Sequence, residues 1–555
     1  MHPRHALLVI PLLLAACGAK NPLWPDERTA KVPPQRLRDI EGANLGRFAK
    51  PPPPPQAPPE DPAAAARARF ANLESLPFTI EEARASALEH NLDLRIALVN
   101  PTIAGARVDE ERARFEAAFT TRALWQETDS PTASTLVDAQ QRFQIVEPGV
   151  RVPLRSGGTA TVSLPITRNE TSNPFTTLNP SYTSDLAFSI AHPLLRGAGT
   201  RVAGTAIEVA GYNRQISEAQ TKLAIINQLS AVERTYWRLY QARRELEVRQ
   251  RDYELAVAQH ERAERVVNAG TQPEIEVLRA QAAVAQRLGD ILLAQNAVLA
   301  QQRELKRVVN VPGLELGGRT LLLTATEPAP VEYLIDGNTL AISALQNRME
   351  MLELELQLLA DAANIHFDRS ALLPRLDLDA AYRINGLGGT MSDSFTTLRN
   401  NKFEDWSLGA TLEVPLGNEA ARSRLRQSVL ARLQRLSTRE SRKLLIRQEV
   451  FDAIDRIDAG WSRIIATRQA AILSGRTLQA EQRQFDLGAS TGQDVLNAQT
   501  LLAQAQLEEV RAVVEYQLAQ VDLAAATGNL LGAANIRWRP ADPSAPAPPP
   551  PPPAP

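Results

Sequence analysis

Cysteine is almost absent from this chain: there is one, Cys17, in 555 residues. That excludes an intramolecular disulfide and any cysteine-built zinc cluster within one chain. Aromatics are scarce as well, at 5%, so a single large globular core is not expected, and Ala, Leu, Gln, Arg and Glu favour helix. Neither sign of charge prevails, with 61 Lys and Arg interspersed among 63 Asp and Glu, and the electrostatic footprint of a nucleic-acid partner is missing. The six histidines are scattered without a His-x-x-x-His pair, and neither a nucleophile elbow nor a phosphate-binding loop occurs. No catalytic residue, metal ligand or cofactor is therefore expected, and the chain does not read as an enzyme. Beyond residue 17 no run reaches the ~18 uninterrupted apolar residues of a membrane helix, so a membrane crossing would have to use strands.

What is present starts at the N terminus. Arg4 and His5 precede an apolar run from Ala6 to Ala16 that has the layout of a secretory signal. Leu14-Ala15-Ala16-Cys17 resembles the bacterial lipobox, which implies that Cys17 becomes the acylated N terminus after cleavage. Gly18 follows it, in place of the Asp that in enteric bacteria commonly retains lipoproteins at the inner membrane, so an outer-membrane anchor is expected. Residues 1–17 are thus the signal, and 18–76 a linker whose Pro51 to Pro55, Pro58 and Pro59 favour extended polyproline structure. Residues 532–555 form a Pro- and Ala-rich tail that cannot bury a core.

Between linker and tail one pattern occurs twice, over 77–318 and 319–531. Asn268 to Gln281, with Gly270, Glu276, Val277 and Leu278, matches Asp486 to Gln499, with Gly488, Asp494, Val495 and Leu496. The separation, from 270 to 488, is 218, and it also pairs Val232 with Val450 and Leu305 with Leu523. Ala87 to Leu94 matches Ala344 to Met351 at a separation of 257, so the first copy is longer in its middle. Each copy reads as helix, strands, long helix, tight turn, helix. The stretch from Val202 to Asn268 holds no proline and would extend on the order of 100 Å as one helix. Val277, Val284, Ile291, Val298 and Leu305 recur every seven residues, flanked by Leu278, Ala285, Leu292 and Leu299, and predict a coiled-coil seam. Its counterpart runs through Val495, Leu502, Tyr516 and Leu523, with Glu509 interrupting.

A plain coiled-coil rod would explain those helices but not the strand windows. Leu376, Leu378, Ala380, Tyr382 and Ile384 alternate with polar neighbours, as do Trp406, Leu408, Ala410, Leu412 and Val414. Strands of this length suit a bilayer, which needs ~9–11 tilted residues, and predict a hairpin with its polar face inward. The first copy has matching strands around Leu186, Phe188 and Ile190 and through Ala160, Val162, Leu164 and Ile166. It adds strand-like stretches near Ala123 to Thr128 and Phe143 to Leu154, and Ser156-Gly157-Gly158 reads as a turn. Two hairpins cannot close a barrel, and an open edge in lipid leaves backbone groups unpaired at several kcal/mol each, so oligomerisation is expected.

Duplicated hairpins set between long helix pairs, with Gly-centred turns followed by an acid and Val-Leu, resemble the TolC outer-membrane efflux family. The resemblance covers Phe78 to Leu530 and is most specific at Gly270 to Gln281, Gly488 to Gln499 and His192-Pro193-Leu194-Leu195-Arg196-Gly197. It implies a mainly α fold with membrane β structure. It further implies a homotrimer, with four strands per chain closing a 12-stranded barrel above a periplasmic barrel of helices. It also implies an export duct through the outer membrane, served by a periplasmic adaptor and an inner-membrane pump, in a tripartite efflux or type I secretion system. The competing reading is a periplasmic adaptor or structural coiled-coil lipoprotein without a pore. Carried over by position, Gly270, Thr271, Gly488 and Ala489 are the adaptor-contact turns, and Asp494 is the acid of the periplasmic gate. Asn497 stands where some members have a second acid. Glu276 aligns with Asp494 but lies in the other helix pair, where a solvated face is the plainer reading. Thr491-Gly-Gln-Asp494 also fits a helix capping box, as does Thr271-Gln-Pro-Glu274, and gate and cap are compatible roles. Glu350, Glu353 and Glu355 read as a solvated face.

Overall fold

A computed structural model describes residues 74–132, 138–270, 272–318 and 320–534, all within the unit 62–555. Cys17 and its signal, the linker up to residue 73, Thr271 and the tail from residue 535 lie outside the described residues. The order of elements runs twice. The first pass is β1 (Ser75–Phe78), α1 (Ile80–His90), α2 (Leu92–Ala113), β2 (Ala118–Asp129), β3 (Gln140–Pro153), β4 (Thr159–Ser163), β5 (Ile166–Thr171), β6 (Ser181–Ser184), β7 (Leu186–Pro193), α3 (Thr200–Ala203), α4 (Thr205–Asn268) and α5 (Ile275–Val309). The second is β8 (Leu321–Thr324), α6 (Gly337–Asn347), α7 (Met349–Ser370), β9 (Arg375–Ile384), β10 (Leu387–Gly388), α8 (Met391–Arg399), β11 (Glu404–Glu413), α9 (Glu419–Asp486), α10 (Gly492–Ala526) and α11 (Leu530–Ala533).

The helix breaks repeat with the pattern. Asn91 separates α1 from α2 and Arg348 separates α6 from α7, both with extended backbone, at the 257-residue separation read from the sequence. Ala87 and Ala344 on the near side of these breaks are fully buried, and Leu94 and Met351 on the far side nearly so. β1 and β8, which open the two passes, pair in parallel. The Tyr236 hydroxyl on α4 locks that pair, donating to the Phe78 carbonyl at 3.0 Å and accepting from the Thr326 amide at 2.9 Å. Around it Val232, Leu239, Leu305 and Leu322 form the largest apolar cluster, and Val450, the counterpart of Val232, is fully buried in another.

The long helix begins at Thr205 rather than Val202, because Gly204 interrupts it: a Cβ there would sit 2.8 Å from the Thr200 carbonyl oxygen. Its 64 residues still extend ~95 Å. The seam of α5 is shifted and more polar than the heptad predicts. Ala280, Arg287, Ile291, Gln295, Val298, Gln302 and Leu305 are buried, whereas the flanking Leu278 is 55% exposed. Glu350 is not on a solvated face either. It pairs with Arg348, and both side chains are mostly buried.

All strands other than β1 and β8 form one antiparallel sheet. Its nine segments make six rows, because three rows are broken: β4 continues as β5, β6 as β7 and β9 as β10. The rows follow chain order from β2 to β11, so the additional pair of the first copy, β2 and β3, joins the same sheet as the other four. The stretch read as one strand from Ala160 to Ile166 is broken at Leu164-Pro165, since proline has no N–H for the ladder. The loop read between the two strands of the second copy holds a helix, α8, capped by Thr390, whose hydroxyl accepts from the Asp393 amide.

The sheet register sorts its side chains by face. Phe119, Val150, Val162, Phe188, Tyr382 and Trp406 are directly opposed across all six rows and share one face, since successive side chains alternate. Five of them are exposed, Phe119 to 72% and Trp406 to 77%. One residue along, Arg151, Thr161, Ser189, Ala381 and Ser407 are opposed in the same way. They line a concavity on the other face with Asp379.

Candidate functional site

The turns closing the two long helix pairs carry the candidate residues. α4 ends at Asn268, and Gly270 follows with φ of 71°. α9 ends at Asp486, and Gly488 follows with φ of 73°. Around Gly488 the Gly488 amide donates to the Phe485 carbonyl at 3.1 Å and the Ala489 amide to the Gln484 carbonyl at 2.8 Å, a left-handed helix stop that glycine makes without strain. Nothing lies within 4 Å of a Cβ added at either glycine, so backbone torsion alone demands them. Gly270, Gly488 and Ala489 are all exposed.

Asp494 forms the capping box expected from its spacing. Its carboxylate accepts from the Thr491 amide at 3.0 Å and hydroxyl at 2.6 Å, and its own amide donates to the Thr491 hydroxyl at 3.3 Å. These bonds favour the ionised form, and the carboxyl is held below the usual range, first by the Thr491 hydroxyl and then by the Thr491 amide. Asp494 and Asn497 are exposed, one helical turn apart. The Asn497 amide oxygen accepts from Gln493 at 2.9 Å.

The matching turn precedes α5. Glu274 immediately precedes α5, has helical backbone angles and as N-cap makes no side-chain cap bond, and the box expected between Thr271 and Glu274 rests on Thr271, outside the described residues. Glu276 is not solvated. Its side chain is only 12% exposed, pairs with Arg279 at 2.8 Å, and lies against the other turn, where a Cβ on Gly492 would come within 2.7 Å of its Oε2. The two turns therefore abut. Arg262 on α4 reinforces the contact by pairing with Asp486 and stacking over the Phe485 ring at 5.1 Å. Phe485 packs with Leu478, Val495 and Ala498, and Leu255 of α4 lies against that cluster.

Set back from the turns, Arg287 on α5 pairs with Asp252 on α4 at 3.0 Å, both side chains under a tenth exposed. It also donates to the Thr500 hydroxyl on α10 at 3.1 Å, joining helices of both copies. Sequence reasoning passed over this trio. Its signal was available: Arg287 falls seven residues after the small Ala280, in the row that the seam buries.

Two Gly-stopped helix turns in contact, beneath an amphipathic sheet whose exposed face is apolar, define the arrangement to be matched. Residues 340–529 match the family model of the outer membrane efflux protein. The matched stretch lies within the second copy. The efflux-protein match begins within α6 and ends just beyond α10, and so takes in Gly488, Ala489, Asp494 and Asn497. Gly270 and Glu276 lie outside it and are tied to it by the 218-residue repeat and by the contact between the turns. The chain is 24% identical over 302 residues to outer membrane protein TolC of Vibrio cholerae, covering 54% of this chain and 67% of that protein. Its fold matches that of the Campylobacter jejuni CmeC outer membrane channel with a TM-score of 0.60 at 14% identity, over 81% of this chain and 86% of the other. It matches the Neisseria gonorrhoeae MtrE outer membrane channel, in its open state, with a TM-score of 0.57 at 17% identity, over 81% and 89%. Among the described residues no helix is long and apolar enough to cross a membrane.

Proposed function

We propose that three copies of this chain form an outer-membrane export duct, with the sheet as barrel wall and the paired helices as the tube beneath it, reaching into the periplasm. The observation that carries this reading is the continuous, solvent-exposed apolar face of a sheet whose opposite face is polar. No soluble monomer leaves such a band uncovered, whereas lipid requires it. Gly270, Thr271, Gly488 and Ala489 are the turns that meet a periplasmic adaptor, and the exposure of Gly270, Gly488 and Ala489 suits that role. Asp494 and Asn497, beside the contact between the turns, form the gate with Glu276, and three copies of an ionised Asp494 around a narrow water-filled opening would favour cations. The energy for export comes from an inner-membrane pump through that adaptor. Cys17 is the lipid attachment point that holds the N terminus at the outer membrane.

Purified protein is expected to conduct in planar bilayers and to run as a heat-sensitive trimer on gels. A monomer that leaves bilayers unaltered refutes the duct and favours a pore-free adaptor or coiled-coil lipoprotein. Incorporation of radioactive fatty acid should vanish in Cys17→Ser, and labelling that persists there refutes the anchor.

A further inference from the structure

We infer that each chain supplies six strands to the barrel wall, so that three copies close a barrel of eighteen strands in which β2 of one copy pairs with β11 of the next. The inference rests on the duct reading and concerns the membrane wall alone.

Three observations support it. First, β2 and β3 are paired along the whole length of β2, from Ala118 opposite Arg151 to Asp129 opposite Gln140, and β3 is paired on its other side to β4 and β5. The additional hairpin is therefore an integral part of the sheet, and the outermost rows are β2 and β11. Second, the apolar face continues without interruption onto that hairpin. Phe119 and Trp125 on β2 are 72% and 75% exposed, and Val146 and Val150 on β3 are 51% and 39% exposed, the same condition as Trp406 and Leu408 on β11 at 77% and 65%. Were β2 and β3 a soluble appendage, these side chains would have no lipid to cover them.

Third, the two edges are complementary to each other. β2 has 12 residues and β11 has 10, each paired on one side only among the described residues, and each is long enough to cross a bilayer. An even number of antiparallel rows leaves the first and last strands running in opposite directions, so β11 of one copy meets β2 of the next as an antiparallel pair, and the contact repeats until the ring closes. Neither strand contains a proline, the residue that commonly blunts an edge. The occupant of each edge is thus a second copy of this chain. With strands ~4.8 Å apart and tilted ~40°, eighteen strands enclose a ring about 36 Å across between backbones, against about 24 Å for twelve.

Disulfide trapping tests the pairing on the full chain in membranes, with Cys17 retained in every variant to set the background. Thr121→Cys and Ala123→Cys on β2 are combined in turn with Leu408→Cys, Ala410→Cys and Leu412→Cys on β11. Oxidation should convert at least one combination into covalent dimers and trimers on non-reducing gels, while Ala160→Cys or Val162→Cys on β4 combined with the same β11 positions should give none. Cross-linking of β11 to β4 instead of β2 overturns the eighteen-strand wall and returns a twelve-stranded one, with β2 and β3 displaced. Cross-links to neither strand in a trimer that still conducts also overturn it. Absence of both trimer and conductance in the unsubstituted protein overturns the duct reading itself. Labelling of the single variants gives a second readout independent of register. Phe119→Cys, Ala123→Cys and Val150→Cys should react with a membrane-soluble maleimide and Thr120→Cys and Arg122→Cys with a charged, water-soluble one, whereas charged-reagent labelling at all five places the hairpin outside the bilayer.

Discussion

Removing the guanidinium of Arg287 tests whether the contact between the two copies is as dry as its burial indicates. Its ion pair with Asp252 spans 3.0 Å with side-chain exposures of 8% and 6%. At an effective dielectric near 20 the attraction is ~5 kcal/mol, and the desolvation of two ions, several kcal/mol each, offsets most of it. The intact pair therefore contributes little net stability, yet Arg287→Met strands the Asp252 carboxylate and takes the donor from Thr500. The expected cost is ~3–5 kcal/mol. Replacing both charges, as Arg287→Met with Asp252→Leu, should recover most of that loss, because no buried charge is then left unpaired and the Thr500 hydroxyl keeps its bond to the Leu496 carbonyl. Urea unfolding of the detergent-solubilised protein, followed by helical circular dichroism, gives the four corners of the double-mutant cycle, with an expected coupling of ~3 kcal/mol. A single-mutant loss under ~1 kcal/mol, the value of exposed pairs, would falsify the assignment of this site as water-excluded.

Other outcomes follow from the turns and the strand lock. Gly488→Val and Gly270→Val should each cost ~1–2 kcal/mol in the same unfolding measurement, since both force a β-branched residue into the left-handed region, and stability equal to the parent would show that the turns take another conformation. The depressed pKa of Asp494 means that its cap contributes stability above the ordinary carboxyl range and loses it as pH falls through the folded pKa, below about pH 4. Amide exchange of residues 492–496, corrected for intrinsic rates, should quicken in that acid window in the parent but not in Asp494→Asn, and equal behaviour of the two proteins removes the carboxylate from the cap. Tyr236→Phe leaves the Phe78 carbonyl and the Thr326 amide without their shared partner and should cost ~1–3 kcal/mol; a neutral result would mean that water replaces the hydroxyl.

Local rules made much of this fold legible, and tertiary contacts account for what was missed. Long proline-free stretches, Gly270, Gly488 and the Thr491 to Asp494 spacing each dictate backbone through their own torsions or hydrogen bonds, so helices, turns and cap were readable in one dimension. Alternation did the same for β9 and β11, and the stretches matched at 257 residues turn out to span both helix breaks. Burial of a charge depends instead on what the fold brings opposite it. Glu276 reads as surface until Gly492 of the other copy lies against it, and Arg287 reads as a flaw in a heptad until Asp252 and Thr500 complete it. The six-row sheet was hidden for a related reason: Pro165 and Asp185 break two of its long rows, and what continues across such a break is set by the neighbouring row. Membership of β2 and β3 in the sheet is a property of pairing, which alternation within a strand does not encode.

The open space around Gly270 and Gly488 has a consequence for how such a protein can change over generations. Because each turn is specified by a torsion angle and not by packing, neighbouring exposed side chains such as Ala489 are almost free of obligations to the fold. Substitutions there can alter which surface is offered without eroding stability. A lineage could therefore exchange one docking partner for another through a few changes at the turns, while the buried contacts behind them stay fixed.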